Sequence, residues 1–393
     1  MFLSAWVLFY GILNYININM MKRLLMAACV AILFSCSGNQ GVTLFEKEAF
    51  TAEVDGKMTS LYTLKAGDLV MQVTDFGGRV VSLWVPDRDG RYEDVVLGYN
   101  NIDSYVNNKG ERFLGAVVGP YANRIAAGTY SIGDETYTFP QNNNGQTLHG
   151  GLKGLDMVVW DVEEVNDSTL VLSYMHEDGQ EGMPGNLMVV MTYALNSENE
   201  FMVDYIAQTD KATHVNISHH SFFNLKGEGN GTINDHILYI NGSKTTPVDP
   251  VLIPTGEVAD VTGTPFDFRQ PKAIGTDLNV ENEQLTNGVG YDHNWVLDRN
   301  TYDDMELAAS VYEPASGRYM EVYTDQPAIQ FYGGNFFDGT TEGKYGKALR
   351  YRESLALETQ KYPDSPNHEN FPSTLLRPGE TYTHHCTYRF SVK

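Results

Sequence analysis

The sequence predicts an all-β fold, a sandwich or a barrel, and three observations carry that prediction. Short runs rich in β-branched and aromatic residues follow one another closely. Clusters of turn-forming residues separate them, and sustained helical periodicity is absent. With 42% hydrophobic and 12% aromatic residues the chain can bury a sizeable core, so disorder is excluded.

The elements are justified in chain order. Met21-Lys22-Arg23 is a short positive region, Leu24 to Phe34 is apolar, and Leu33-Phe34-Ser35-Cys36 follows. The apolar run is too short to span a bilayer comfortably and suits an export signal. Leu-x-Ser-Cys resembles the bacterial lipoprotein box, in which the cysteine is lipidated and becomes the mature N-terminus; an ordinary secretory signal is the plainer alternative. Residues 1–36 are therefore expected to be a lipoprotein signal segment, with residues 1–20 upstream of a start at Met20 or Met21. The mature protein would be exported and lipid-anchored through Cys36 to a bacterial membrane, facing the periplasm. Residues 37–45 (SGNQGVTLF) read as a tether.

Beyond the tether, Leu69 to Val73 and Val80 to Val85 flank the turn signal Asp75-Phe76-Gly77-Gly78. Leu170 to Tyr174, Leu187 to Leu195 and Phe201 to Ala207 are further strand-like runs, with turns expected at 141–145 and 177–179. Asn101 to Asn108 lacks strand alternation and allows one short helix. No composition shift or repeat divides the chain, so residues 46–393 are read as one large β domain.

Charge and cysteines narrow the class. Against 27 basic residues stand 50 acidic ones, a net charge of −23. No basic stripe could offset phosphate repulsion, which argues against a nucleic-acid partner. Cys29 and Cys36 belong to the leader, leaving Cys386 alone in the folded part, so neither a disulfide framework nor a cysteine-ligated metal is expected.

Several polar residues stand where chemistry is plausible. His149 lies in Leu148-His149-Gly150-Gly151, where glycines permit close backbone approach. His219 and His220 precede Ser221-Phe222-Phe223-Asn224-Leu225, and Asp292 follows Gly290-Tyr291. Glu358 ends the apolar run Leu355-Ala356-Leu357, and a carboxylate arriving at the end of a buried strand is costly unless paired or used. Singly, each has a plain structural reading: a hydrogen-bonded histidine, a turn-capping Asp292, or Glu358 paired with Arg350 or Arg352. A metal site is not expected, since no His-x-x-x-His or His-Glu-x-x-His spacing occurs and adjacent His219 and His220 on a strand point to opposite faces. Neither a Gly-x-Ser-x-Gly elbow, nor a P-loop, nor a dinucleotide fingerprint is present.

Taken together, these segments resemble the galactose mutarotase (aldose 1-epimerase) family from about residue 45 to the C-terminus. The matching stretches are Tyr121-Ala122-Asn123-Arg124-Ile125, Thr147 to Gly151, Asp178 to Gly185, His220 to Leu225, Gly290-Tyr291-Asp292-His293 and Gln330 to Asn335. The last is Leu357-Glu358-Thr359-Gln360 with Pro363-Asp364 and Asn367, running into Asn370-Phe371-Pro372 and Arg377 to Glu380. The resemblance implies a large antiparallel β-sandwich of the supersandwich type. It also implies Glu358 as general base, His220 as general acid and His149 as a second active-site histidine. Asn123, Arg124, Asp292 and, more weakly, Gln330 would be sugar-hydroxyl ligands. The implied activity is interconversion of the α and β anomers of a free hexose such as galactose or glucose. That chemistry needs a base at the anomeric hydroxyl and an acid at the ring oxygen, with no redox change and so no cofactor.

The expected partner is a monosaccharide, and a tethered monomer is the default assembly. The alternative is a non-catalytic carbohydrate-binding lipoprotein of the same fold, which would not need a matched acid–base pair. This chain departs from the family at two places. His219 stands where Asn is common, although the spacing to Phe223-Asn224-Leu225 favours His220 as the acid. Pro120 stands where many relatives carry Arg, in the approach to Asn123 and Arg124.

Overall fold

The computed structural model describes residues 41–301 and 304–393. The proposed signal segment with Cys36, and residues 37–40 of the tether, lie outside the described residues. Among those described, no helix is long and apolar enough to cross a membrane.

Strands dominate, and every strand pair within the sheets is antiparallel. A nine-stranded sheet runs, neighbour by neighbour, through Asp161–Val165, Thr169–His176, Leu187–Leu195, Glu200–Thr209, Tyr382–Val392, Arg318–Thr324, Glu306–Tyr312, Ile237–Ile240 and Lys272–Ala273. A six-stranded sheet runs through Phe222–Phe223, Leu355–Gln360, Ala328–Tyr332, Asp292–Val296, Lys244–Thr246 and Ala259–Asp260. A four-stranded sheet, Leu61–Ala66 to Tyr92–Asp94, includes both strands flanking the Asp75–Gly78 turn. The strand-like runs read from the sequence all fall in these sheets. The short helix forms at Ile102–Val106, where the Asn101 side chain accepts from the Ser104 amide and caps the first turn. A second short helix, Glu283–Asn287, is not legible because five residues, little more than one turn, carry too little periodicity.

Two-residue alternation decides what the six-stranded sheet shows on each face. Leu355 and Leu357, Ile329 and Phe331, and Trp295 join the large core that also holds Tyr193, Phe201, Val203 and Tyr388 of the nine-stranded sheet. The two sheets are also tied by polar bonds through that core. Thr359 Oγ1 lies 2.7 Å from His384 Nε2, and the Tyr388 hydroxyl donates to the Leu357 carbonyl at 3.0 Å. The intervening positions face the other way. Register aligns Asp292 with Tyr332, Asn294 with Gln330, and Gln330 with Glu358, giving a polar patch on the sheet's opposite face. That face is also buried, under a layer built from the segments around 111–125 and 147–151 and the strand Ser218–His220, which pairs with Ala116–Val118.

Candidate active site

Between the six-stranded sheet and its covering layer lies a cavity of about 250 Å³, roughly eight water volumes, open to solvent. Glu358, Asp292, Tyr332 and Phe222 line it from the sheet, and Asn123, Arg124, Asn143, Leu148 and His149 from the covering loops. His220, Glu111, Phe113 and Phe336 complete the wall. Glu358 sits within its strand, 2% exposed, instead of at a strand end, and neither arginine proposed as its partner reaches it. Arg350 lies 3.8 Å from Glu353, and Arg352 donates to Asn234 and Asn335.

Glu358 meets His220 instead: His220 Nε2 stands 3.4 Å from Glu358 Oε1, both buried. Glu358 Oε2 has no hydrogen-bond partner, an orphaned acceptor beside an open cavity. Burial, the nearby Asp292 and Glu111 raise the Glu358 carboxyl well above the usual range, against the pull of Arg124. Burial, assisted by Arg79, drives His220 down to about 3. Burial thus favours the uncharged form of each group, a protonated carboxyl beside a neutral imidazole.

The strand geometry settles which adjacent histidine faces the cavity. His219 turns into the inter-sheet core, where its Nδ1 lies 3.0 Å from the Tyr193 hydroxyl and its Nε2 2.6 Å from Ser221 Oγ. The Tyr193 hydroxyl donates to the Gly78 carbonyl, so it accepts from His219 Nδ1–H, and Ser221 donates to Nε2. His219 is thus a satisfied core residue.

His149 is fixed from two sides. Its amide donates to the Asn123 carbonyl at 3.0 Å, and the Asn123 amide donates back to His149 Nδ1 at 3.0 Å. The acceptor role of Nδ1 leaves the proton on Nε2, so the ring presents an N–H donor to the cavity. Both residues hold left-handed backbone, φ 52° for His149 and 62° for Asn123. Burial, with His220, Arg124 and Arg112 adding to it, keeps His149 well below its usual value, hence neutral.

His149, His220 and Glu358 place ligand-type atoms within 4.8 Å of one another, a spacing that could interest a divalent ion. The donor set does not fit. Nδ1 of His149 is taken by the Asn123 amide, and the protonated Nε2 has no lone pair to offer. The trio reads as a proton-exchanging cluster.

The polar ring holds together through its own bonds. Asn123 Oδ1 accepts from the Arg124 amide at 2.9 Å, and Arg124 Nε donates to Asn143 Oδ1 at 3.3 Å. Arg124 Nη2 lies 3.9 Å from Asp292 Oδ2, while Asp292 Oδ1 accepts from Gln330 Nε2 at 2.8 Å. Gln330 is not among the cavity-lining residues; it acts from behind, orienting Asp292. The buried Asp364 anchors the Arg124 turn, its amide donating to the Arg124 carbonyl and its Oδ1 accepting from the Ala126 amide, both at 2.9 Å.

A sequence profile described as Aldose 1-epimerase matches residues 60–389. The chain belongs to the aldose 1-epimerase family. It is 42% identical over 331 residues to the galactose mutarotase of Bos taurus, covering 84% of this chain and 94% of that protein. It is 36% identical to the aldose 1-epimerase of Escherichia coli K12 over 340 residues, 86% of this chain and 96% of the relative. Among solved structures, galactose 1-epimerase from Lactobacillus acidophilus superposes with a TM-score of 0.75 at 29% identity, covering 87% of this chain and 97% of that one. An aldose epimerase homologue from C. elegans gives 0.78 at 28%, covering 85% and 99%.

Within this epimerase fold, the cavity brings together Glu358, His220, His149, Asn123, Arg124 and Asp292, with Gln330 set behind. Sequence reasoning did not single out Glu111, Phe113, Asn143, Leu148, Tyr332 and Phe336 as site residues. Tyr332 could have been found, since it faces the same way as Gln330 two residues earlier. Leu148 lies in a two-residue strand, Thr147–Leu148, and the others sit on loops, where no period marks direction.

Proposed function

We propose that the chain is an aldose 1-epimerase that interconverts the α and β anomers of a free aldohexose such as galactose or glucose by acid–base ring opening and reclosure. The observation that carries the mechanism is the His220–Glu358 pair, 3.4 Å apart on the floor of a monosaccharide-sized cavity. Glu358 takes the proton of the anomeric hydroxyl while His220 delivers one to the ring oxygen, so the C1–O5 bond breaks and a carbonyl forms at C1. Rotation about C1–C2 turns the carbonyl over. Closure reverses the roles: the hydroxyl at C5 adds to C1, His220 recovers its proton, and Glu358 returns one to the new anomeric oxygen.

The same number of protons sits on the pair throughout. The state with the proton on Glu358 and a neutral His220, favoured by burial, is the state the pair reaches when the ring is open. Arg124 pulls the other way, favouring the ionised carboxylate that begins the cycle. Because the proton count on the pair is unchanged, ring closure can run the same transfers backwards, as a reversible shuttle requires. The His149 Nε2–H supplies a donor beside the reacting centre, and Asn123, Arg124 and Asp292 hold hydroxyls around the ring.

Polarimetry on freshly dissolved α-D-galactose and α-D-glucose tests the reading. The wild-type chain accelerates the approach to anomeric equilibrium, and E358Q loses about 10²–10⁴-fold in kcat while still binding sugar in calorimetry. Unchanged anomer exchange in E358Q would remove Glu358 from the mechanism and favour a sugar-binding role.

Export, lipid anchoring at Cys36 and a monomeric tethered state are part of the same proposal, supported by the Leu33-Phe34-Ser35-Cys36 pattern after a basic and apolar run. Metabolic labelling with a radioactive fatty acid checks it: label enters the membrane fraction of the wild type and not of C36A.

A further inference from the structure

We propose that Glu111 is a further sugar-binding carboxylate of this site, accepting a hydroxyl hydrogen of the bound aldose and so helping to select among sugars. The proposal deepens the epimerase reading and rests on it.

Glu111 lines the same cavity as Glu358 and His220, yet it lies outside every stretch that carries the family resemblance. Although it sits in irregular chain, it is firmly held. Its Oε1 accepts from the Phe113 amide at 3.0 Å, and its main-chain carbonyl accepts from the Tyr99 hydroxyl and Asn108 Nδ2, both at 3.0 Å. Phe113, two residues on, packs edge-on against His149 with ring centroids 4.6 Å apart. The segment is therefore braced against the second histidine of the site. The carboxyl is also within electrostatic reach of the reacting centre and of the sheet wall, since its charge contributes to raising both Glu358 and Tyr332.

A carboxylate in such a place is costly unless something meets it. The two arginines nearest in charge do not fill that role. Arg112 grips Asp156 with Nε and Nη2 at 2.6 and 2.8 Å and gives Nη1 to the Gly151 carbonyl. Arg79 donates to the carbonyls of Arg112, Leu114 and Asp156. Among the described residues no ion pair reaches the Glu111 carboxyl. Its remaining acceptor capacity faces a cavity whose proposed ligand is covered in hydroxyl donors. In that ring Arg124 and the His149 Nε2–H are donors, while Asp292 has one oxygen engaged by Gln330. A second carboxylate acceptor on another part of the wall gives the polyol a donor–acceptor pattern that differs from one sugar to the next.

The test is polarimetry on wild-type, E111A and E111Q chains with galactose, glucose and a galactose series lacking one hydroxyl at a time. For the wild type, one deoxy sugar shows a KM raised roughly tenfold or more, the scale of one hydrogen bond to a charged group. In E111A galactose itself acquires that KM, the deoxy sugar suffers no further loss, and kcat stays within about threefold. E111Q, of the same shape, lies between them and serves alone if E111A does not fold. An active wild type with unchanged KM in both variants overturns the assignment. So does a penalty that adds to every deoxy sugar alike. A wild type inactive on all the sugars overturns the epimerase reading and this proposal with it.

Discussion

His219 and His220 show how one residue of strand separates two chemistries. Both are buried and both are held near 3 by burial, yet His220 opens to the cavity while His219 links Tyr193 to Ser221 in the core. Replacing His219 by Ala leaves two buried hydroxyls short of a partner, a cost of about 1–3 kcal/mol. H219A should lower the melting temperature in calorimetry while kcat by polarimetry stays within about threefold, and H219N should recover part of the loss. In H220N the melting temperature should hold and kcat should fall about 10²–10⁴-fold. If H219A stayed as stable as wild type but lost turnover, the assignment of the acid would pass to the wrong-facing neighbour and the strand reading would be in error.

At the scale of elements, the site depends on how closely two loops approach. Gly150 holds φ +89°, and a Cβ there would stand 2.0 Å from the Gly119 carbonyl oxygen, a main-chain atom that cannot swing aside. G150A therefore forces the loop carrying His149 outward, against both backbone strain and overlap, at roughly 1–3 kcal/mol. Because His149 and Asn123 are bonded to each other in both directions, the displacement should disturb the two together. Sugar affinity in calorimetry should fall along with kcat/KM; a variant with native affinity would show that the clamp tolerates movement. How far such features are legible in sequence follows from their periodicity. Leu355, Leu357 and Glu358 could be assigned to a buried strand because alternation carries the information, and register then delivers Gln330 and Asp292 beside the carboxylate. Even there the sequence showed Glu358 only as the end of an apolar run, since the strand's continuation, Thr359-Gln360, is polar by composition and buried by packing. Glu111 and Asn143 lie on loops whose direction depends on contacts with distant segments. No local pattern encoded their arrival at the cavity.

Across the whole molecule, burial of imidazole sets a common acid sensitivity. Desolvation lowers His176, His214, His236 and His384 to about 4, His219, His220 and His293 to about 3, and His149 well below its ordinary value. The seven held near 3 or 4 are neutral in the fold at pH 5, and all eight are protonated in the unfolded chain below about 6.5. The unfolded state then binds more protons, so stability is full above that value and is lost as pH falls towards 4, at about 1.4 kcal/mol per pH unit for each histidine. Buried carboxyls oppose this. Asp75 is raised to about 6 and Glu228 to about 7, with Glu111, Glu358 and Asp364 raised as well, so their protonated forms favour the fold at acid pH and lose that advantage as pH rises. Among the described residues eight depressed histidines outnumber five raised acids, and the histidine sign prevails. The melting temperature should therefore fall steadily between pH 7 and about pH 4.5. H384N, which takes one such group out of the inter-sheet core, should make that fall shallower even if it lowers stability at pH 7. A melting temperature that held constant or rose on acidification would mean that these imidazoles are not neutral inside the fold, and the neutral His220 proposed for the resting site would lose its support with them.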